Sequence, residues 1–293
     1  MAGRAQVHVL ATLADYARLM RLNRPIGIWL LLWPTLWALW IAAQGRPDQR
    51  LFTVFVCGVV LMRSAGCVIN DYADRNFDPY VARTKDRPLA AGRVSAPEAL
   101  VLFAILALAA LTVALRLNRQ ALTLAFVGAF LSVTYPFIKR FLSVPQLYLG
   151  LSFGWGIPMA FAAETTTVPR LAWLLFLANI LWVAVYDTMY AMVDREDDLK
   201  IGVRSTAILF GDADRQVIAV LQAMTLVALY LAGRLAHLGG WYLAGVLAGA
   251  GFFAYQLWLI RGREPAQCLR AFLNNNYFGM AVFSGILLDY LFH

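Results

Sequence analysis

Charged residues are scarce in this chain. Asp, Glu, Lys and Arg make up 14% of its 293 residues, and 61% of the residues are hydrophobic. Soluble domains are about 25% charged, so this composition excludes an ordinary soluble domain. The apolar runs are about twenty residues long and lack the alternation that is typical of strands. We therefore predict an all-α, polytopic membrane helix bundle.

Cysteine and histidine are equally rare, at three residues each. Cys57 and Cys67 fall within one apolar run and Cys268 lies far from both, so no disulfide framework is indicated. The histidines are scattered along the chain and show no spacing that is typical of a zinc site. We therefore expect any metal that this protein binds to have oxygen ligands.

Nine apolar runs are predicted to span the membrane, and residues 1–293 are predicted to form one integral-membrane domain. The predicted spans are 26–44, 50–69, 98–116, 119–137, 144–163, 171–189, 215–236, 240–260 and 276–292. The segment 1–24 precedes them, and the two long polar connections are 70–97 and 190–214. Asp289, near the end of the last span, is expected to lie at the membrane interface.

Lysine and arginine are distributed unevenly between the two sides of the predicted bundle. The side with the N-terminus and the connections after spans two, four, six and eight carries 18 of the 25. Because cytoplasmic loops are enriched in Lys and Arg, we predict that the N-terminus and both long connections are cytoplasmic. Nucleic-acid binding is not favoured, since the basic residues are dispersed over short membrane loops.

The few acidic residues are concentrated in two places. Nine of the seventeen lie within 70–86 and 187–198. The two clusters share a skeleton at an offset of 120 residues, in which Asp74 matches Asp194, Arg75 matches Arg195 and Asp78 matches Asp198. This offset favours an internal duplication. Clustered carboxylates repel one another unless a cation neutralises them, and oxygen ligands suit Mg²⁺, which often shares its coordination shell with phosphate.

Helical spacing predicts that each cluster forms a polar stripe on one helix face. The first stripe is Asn70, Asp74 and Asp78, and the second is Asp187, Tyr190, Asp194 and Asp198. Two such stripes facing each other across a bundle would hold one or two Mg²⁺ ions. The predicted metal ligands are Asn70, Asp71, Asp74, Asp78, Asp194 and Asp198. The alternative is a pair of solvated helix ends with acid–base pairs.

Basic residues close behind each cluster are predicted to bind diphosphate oxygens, although ordinary positive-inside charge is the alternative explanation. They are Arg83, Lys85 and Arg87 after the first cluster, and Lys200 and Arg204 after the second. Arg63 lies inside the second span, seven residues before Asn70. A charge within a span usually faces a polar cavity, so we expect Arg63 to bind an anionic group. Lys139 and Arg140, after the fourth span, are candidates for the same role.

Both clusters resemble the signatures of a known family. Asn70-Asp71-x-x-Asp74-x-x-x-Asp78 and Asp187-x-x-Tyr190-Ala191-x-x-Asp194-x-x-x-Asp198 are similar to the two signatures of the UbiA-type intramembrane aromatic prenyltransferases. Further stretches, which begin at Leu61, Arg83, Thr134, Pro145 and Trp155, resemble the bacterial 4-hydroxybenzoate polyprenyltransferases of ubiquinone biosynthesis. The resemblance runs from about Arg21 to about Gly211.

This resemblance implies a bundle of nine transmembrane helices around a central cavity that opens sideways to lipid. It implies that Asn70, Asp74, Asp194 and Asp198 hold Mg²⁺ bridging the prenyl diphosphate, with Asp71 and Asp78 in support. It further implies transfer of a polyprenyl group from an allylic polyprenyl diphosphate to 4-hydroxybenzoate, ortho to the hydroxyl, at the bacterial inner membrane. No obligate protein partner is indicated.

The expected mechanism is electrophilic aromatic substitution. Asp187 lies one or two turns deeper than Asp194 and is expected to polarise or deprotonate the phenol. Arg63, with Lys139 or Arg140, is expected to bind the acceptor carboxylate. A carbocation in an apolar cavity is stabilised by ring faces within about 6 Å. The candidate rings are Tyr135, Phe137, Phe153, Trp155 and Tyr190.

Other functions are also compatible with acidic residues at a membrane face. A CDP-alcohol phosphotransferase places its aspartates in one continuous motif, whereas here they are split into two clusters. A cation-coupled transporter usually binds its ions near the midplane, whereas these acids lie at the ends of spans. Relatives within the prenyltransferase superfamily that use homogentisate, dihydroxynaphthoate or haem as the acceptor remain alternatives.

Overall fold

The computed structural model describes residues 12–81, 83–139, 141–142, 144–201 and 205–292, and these residues form helices and no strands. Residues 12–19 form α1. The other α-helices are α2 (Ile26–Ala42), α3 (Gln49–Asp74), α4 (Ala96–Ala114), α5 (Arg119–Ile138), α6 (Pro145–Gly154), α7 (Gly156–Thr165), α8 (Arg170–Ile201), α9 (Thr206–Phe210), α10 (Asp214–Leu235), α11 (Gly240–Leu259) and α12 (Pro265–Phe292). Short 3₁₀ turns occupy Asp78–Tyr80, Gly211–Ala213 and Ile260–Gly262.

The all-helical membrane fold predicted from composition is confirmed. Among the described residues, six helical stretches are long and apolar enough to cross a membrane, and α2 is a shorter apolar helix of 17 residues. The predicted spans all coincide with helices, although the structure divides the fifth into α6 and α7. The protein is therefore an integral membrane protein, and the number of nine crossings stays a prediction.

The division between α6 and α7 has a local cause. Pro158 lacks an amide hydrogen, so the carbonyl of Gly154 loses its helical partner. Gly156 also lies against α2, where an added Cβ would be only 2.5 Å from Oγ1 of Thr35. The absence of a side chain at Gly156 therefore lets the α6–α7 pair pack closely against α2.

Side-chain caps fix where several helices begin. Asp48 and Asn118 accept hydrogen bonds from the backbone N–H groups of Leu51 and Ala121 at the starts of α3 and α5. Ser95 and Glu98 form a reciprocal capping box at the start of α4, with the Ser95 amide 2.7 Å from Oε2 of Glu98. These caps satisfy backbone donors that have no partner within the helix.

α8 lies at the centre of the bundle and packs against α2, α6, α7, α10 and α12. Its Trp182 stacks on Trp37 of α2, with ring centroids 5.3 Å apart, and contacts Phe278 of α12 at 5.0 Å. Both indole N–H groups are satisfied, since Trp37 donates to the Gly279 carbonyl and Trp182 donates to Asn275. This aromatic centre fixes α8 relative to α2 and α12.

Asp289, which is predicted to lie at the membrane interface, forms hydrogen bonds with another part of the bundle. The side chain is only 2% exposed. Its carboxylate accepts hydrogen bonds from the backbone N–H groups of Gly239 at 2.7 Å and Tyr242 at 3.2 Å. Asp289 therefore caps α11 from α12, a role that its sequence position could not reveal, and its place at the membrane interface stays a prediction.

Candidate active site

A cavity of about 2310 Å³ lies between α2, α3, α6, α8 and α12. The six predicted metal ligands all line it, namely Asn70, Asp71, Asp74, Asp78, Asp194 and Asp198. α3 and α8 extend beyond the predicted spans, to Asp74 and Ile201. The two acidic clusters are therefore carried mainly on helix ends that face one cavity.

The first cluster is engaged by Lys139, which follows α5. Its Nζ lies 2.9 Å from Oδ1 of Asn70 and 2.6 Å from Oδ2 of Asp74. Asn70 also donates a hydrogen bond of 3.1 Å to Asp74, which confirms that these residues share one helix face. Lys139 thus places a positive charge directly on two predicted metal ligands.

Asp71 and Asp78 are held by arginines. Arg21 donates to both carboxylate oxygens of Asp71, at 2.8 and 3.0 Å. Arg87 donates to Asp71 at 3.0 Å and to Asp78 at 2.8 Å. Burial raises the pKa of Asp78 above its ordinary value, although the charge of Arg87 opposes this. These contacts tie the segment before α2 and the loop after α3 to the end of α3, which fits supporting roles for both aspartates.

Arg83 joins the two clusters. It comes from the loop behind the first cluster, yet its Nε donates to both carboxylate oxygens of Asp194, at 2.9 and 3.0 Å. The same guanidinium donates to the Tyr190 hydroxyl and lies 4.7 Å from the centre of that ring. Burial would lower the pKa of Arg83, but the Asp194 hydrogen bond and nearby negative charge raise it above its ordinary value.

The donor set fits a hard divalent cation. Carboxylate and amide oxygens line the cavity from both clusters, which is the chemistry that Mg²⁺ favours. In the described part of the chain no three His, Cys, Asp or Glu side chains gather into a ready metal cluster. Instead, positive charges from Lys139 and Arg83 lie on Asp74 and Asp194. Metal binding by these residues stays a prediction.

A second group of polar residues lies deeper in the cavity. Asp187 forms a side-chain hydrogen bond with Gln146 of α6, and Lys139 and Arg63 lie close enough to act on it electrostatically. Nε of Arg63 is buried without a partner in the described structure, and the guanidinium lies 5.4 Å from the centre of the Phe153 ring.

Room for Arg63 depends on Gly27 of α2. A Cβ added to Gly27 would lie 2.3 Å from Nε of Arg63. Nearby, the buried Tyr186 hydroxyl also lacks a partner within the described residues. The deep end of the cavity therefore presents the Asp187 carboxylate together with a cation and a hydroxyl that each have an unpaired polar atom among the described residues.

Residues 31–282 match the model of the UbiA prenyltransferase family. The chain belongs to this family. A 4-hydroxybenzoate octaprenyltransferase from Nitrosococcus oceani is 61% identical over 276 residues, which cover 94% of this chain and 97% of that protein. One of the same name from Methylococcus capsulatus is 58% identical over 285 residues, covering 97% and 98%.

Solved structures share the fold of this UbiA family member. A UbiA homolog from Aeropyrum pernix has a TM-score of 0.78 at 24% identity and covers 88% of this chain and 97% of its own. A UbiA homolog from Archaeoglobus fulgidus, bound to GPP and Mg²⁺, has a TM-score of 0.69 at 17% identity, with coverage of 92% and 99%.

Not every predicted site residue reaches the cavity. Lys85 and Lys200 are exposed and lie outside the cavity lining in the described structure, and Lys200 instead pairs with Asp197 at 3.4 Å. Their long side chains follow the exposed faces of the loop and of the end of α8. Arg140 and Arg204 lie outside the described residues.

The five candidate rings also separate into two groups. Tyr135, Phe153 and Tyr190 line the cavity. Phe137 is 42% exposed, and Trp155 packs edge-on against the rings of Trp173 and Phe176. The predicted contribution of Phe137 and Trp155 to a cation-binding cavity was therefore wrong, because helix rotation turns these two side chains away from it.

Several cavity residues were missed by the sequence reasoning. Gln146 was noted only as part of a family stretch, and Arg21 only as a terminal charge. The run Asn274-Asn275-Asn276 in α12 was overlooked entirely, although Asn274 and Asn276 line the cavity. Three consecutive amides at the start of the last predicted span were a signal that could have identified this wall.

Proposed function

We propose that this protein transfers a polyprenyl group from an allylic polyprenyl diphosphate to 4-hydroxybenzoate, ortho to the hydroxyl, in ubiquinone biosynthesis. Relatives named 4-hydroxybenzoate octaprenyltransferase, 58–61% identical over nearly the whole chain, support the acceptor and the donor class. The observation that carries the proposal is one cavity in which both acidic clusters lie beside Arg63 and Asp187.

Mg²⁺ is the proposed metal, with Asn70, Asp74, Asp194 and Asp198 as its ligands and Asp71 and Asp78 in support. When bound, Mg²⁺ neutralises charge on the departing diphosphate. The chain supplies further positive charge from Arg83, Arg87 and Lys139, which all line the cavity. Arg guanidinium groups and the Lys ammonium both suit phosphate oxygens.

Ionisation breaks the allylic C–O bond, and the diphosphate leaves with the electron pair. The allylic cation then requires an environment that stabilises positive charge without supplying a nucleophile. Three cavity rings already face cations, since Tyr190, Phe153 and Tyr135 lie 4.7, 5.4 and 5.9 Å from the cationic groups of Arg83, Arg63 and Lys139. Rings that line the cavity can stabilise the allylic cation in the same way, and the apolar walls exclude water.

The acceptor is oriented by the deep polar group. Arg63 binds the carboxylate, because its buried Nε has no partner among the described residues. Asp187 accepts the phenolic proton or polarises the hydroxyl. Gln146 holds the carboxylate of Asp187 in position. The ring carbon ortho to the hydroxyl attacks the cation to form the new C–C bond, and the proton on that carbon then passes to the departed diphosphate.

We propose that the protein lies in the bacterial inner membrane with its N-terminus in the cytoplasm. The bacterial sources of its relatives and the Lys and Arg distribution support this placement. The loops 70–97 and 190–214 then lie on the cytoplasmic side, where soluble 4-hydroxybenzoate is accessible. The polyprenyl tail remains in lipid and requires no polar ligand.

The test uses purified protein in lipid with a radiolabelled allylic polyprenyl diphosphate. We expect prenylated 4-hydroxybenzoate with Mg²⁺ and none with EDTA. Product with homogentisate or dihydroxynaphthoate instead would overturn the acceptor assignment. Absence of any product from folded protein would favour a phosphotransferase or a transporter.

The metal ligands are tested separately from turnover. Mg²⁺ binding to the purified protein is measured by calorimetry in the presence of a diphosphate analogue. We expect Asp194→Asn to weaken this binding and to abolish most transfer, whereas Gln120→Glu, an exposed change on α5, leaves both unchanged. Full binding and transfer in folded Asp194→Asn would exclude Asp194 as a ligand.

A further inference from the structure

Three amide side chains, two of them buried and the third half-buried, form a continuous hydrogen-bonded series through α10, α11 and α12. Gln222 donates to Oε1 of Gln256 at 3.3 Å, and Gln256 donates to Oδ1 of Asn274 at 3.0 Å. Gln222 is 2% exposed and Gln256 is fully buried. We call Gln222, Gln256 and Asn274 the amide relay. Polar groups buried at this depth in a membrane helix bundle are costly and commonly serve function.

The direction of the amide relay is set at its far end. Nε2 of Gln222 also lies 3.5 Å from the carbonyl oxygen of Phe253, and a carbonyl can only accept. Gln222 must therefore turn its NH₂ group toward α11, so the oxygen of Gln256 accepts from it. The NH₂ group of Gln256 then points to Asn274, whose oxygen becomes the acceptor. The orientation of each side-chain amide thus fixes the orientation of the next amide in the series.

Asn274 ends the amide relay at the cavity wall. Its oxygen is occupied by Gln256, and its NH₂ group has no acceptor in the part of the chain that the structure describes. Asn276 is fixed in the same way, because its oxygen accepts the indole N–H of Trp33 at 2.9 Å and an indole can only donate. Two oriented NH₂ groups therefore remain for the cavity.

The surroundings of these donors favour an anionic ligand. Arg270 lies one turn before Asn274 on α12 and also lines the cavity. Trp29, Leu273 and Tyr277 also line the cavity and are each more than 40% exposed. The donors therefore lie on the α12 wall of the cavity, with a basic residue one turn away on the same helix.

We propose that Asn274 and Asn276 form an anion subsite for a substrate oxygen, with Gln256 and Gln222 as positioning residues. This inference rests on the proposed function, which supplies two anionic groups, the diphosphate of the donor and the carboxylate of the acceptor. A hydrogen bond to a charged oxygen is stronger than one to a neutral oxygen. Both substrates fit the subsite chemically, and the experiment separates them.

The test measures equilibrium binding without turnover. Geranyl diphosphate and 4-hydroxybenzoate are titrated separately into wild type and Asn274→Asp, with geraniol and phenol as neutral counterparts. Asp is nearly isosteric and still accepts from Gln256, but it presents a negative charge in place of a donor. We expect the dissociation constant of the bound anion to rise about tenfold or more, whereas the neutral compounds bind as before. Gln120→Glu on α5 makes the same amide-to-carboxylate change at an exposed position outside the cavity.

The outcomes identify the ligand or exclude the subsite. Weakening of geranyl diphosphate alone assigns the diphosphate, and weakening of 4-hydroxybenzoate alone assigns the carboxylate. Unchanged binding of both anions, or equal weakening of the neutral compounds, would overturn the inference. If Asn274→Asp does not fold, Asn274→Ala and Asn276→Asp are titrated in its place.

Gln256→Leu tests the positioning role. It breaks the amide relay but leaves Asn274 intact, so we expect the KM of the affected substrate to rise severalfold while kcat stays nearly constant. A fall in kcat with unchanged KM would contradict positioning. If wild type makes no product with 4-hydroxybenzoate but Asn274→Asp still binds geranyl diphosphate more weakly, the proposed function fails and the subsite stands.

Discussion

Removal of the Arg87 guanidinium should destabilise the 3₁₀ turn that follows α3. In Arg87→Met, Asp78 loses its 2.8 Å partner, whereas Asp71, only 1% exposed, retains its two hydrogen bonds from Arg21. One buried carboxylate is therefore left without its cation, which costs about 3 kcal/mol of the free energy of unfolding. The assay is denaturant unfolding of the purified protein in detergent with EDTA present.

Arg93→Met is the matched control in the same loop. Arg93 pairs with Asp15 at 3.1 Å, and its side chain is 40% exposed. Solvent screens such a pair, so its removal should cost about 0–1 kcal/mol. Asp78→Asn in the Arg87→Met background should recover part of the stability, because the uncompensated charge is then absent. Equal losses for Arg87→Met and Arg93→Met would refute this explanation.

The deficit of Arg87→Met should also depend on pH. Burial raises the pKa of Asp78, and Arg87 is the main group that opposes this rise. Without Arg87, the pKa of Asp78 in the folded protein rises further above its value in the unfolded chain. The folded protein is therefore favoured while Asp78 is protonated, and its free energy of unfolding falls as the pH rises toward the folded-state pKa. We expect a smaller deficit near pH 5 than at pH 8. A deficit that grows on acidification would contradict this assignment.

Three further predictions concern the cavity and the bundle. Gly27→Ala should displace Arg63 and raise the KM for 4-hydroxybenzoate about tenfold, with little change for the prenyl donor, as steady-state kinetics would show. Asp289→Ala should lower the free energy of unfolding by about 1 kcal/mol by removing the cap of α11. Asp289→Asn should lose less stability, because its side-chain oxygen can still accept one of the two hydrogen bonds. Identical unfolding of wild type and Asp289→Ala would contradict the cap. Asp187→Asn should reduce kcat about 100-fold or more and leave binding of geranyl diphosphate unchanged by calorimetry.

Hydropathy and motif spacing predicted the fold and the acidic part of the site. Spans of apolar residues identify membrane helices because lipid requires every backbone polar group to be paired internally. The i, i+4 spacing likewise placed Asn70 and Asp74 on one face, where they share Lys139. These features are local, so the sequence alone is sufficient to reveal them.

Contacts between distant segments could not be predicted in the same way. Arg83 was expected on a diphosphate, yet it reaches Asp194, 111 residues further along the chain. Asp289 and the amide relay likewise depend on how α10, α11 and α12 pack together. The helix register that brings such residues together is set by the whole bundle, and a single sequence carries no direct signal for it.

The Arg83–Asp194 contact also has a thermodynamic consequence. Any cation that takes Asp194 as a ligand must compete with the guanidinium, so its apparent affinity is reduced by the free energy of that ion pair. By linkage, the bound cation weakens the hold of the loop on α8 by the same factor. The loop that follows α3 would therefore respond to a cation bound at the second acidic cluster, on α8. Binding of that cation would release the Arg83 guanidinium from Asp194 and leave its positive charge beside the first acidic cluster.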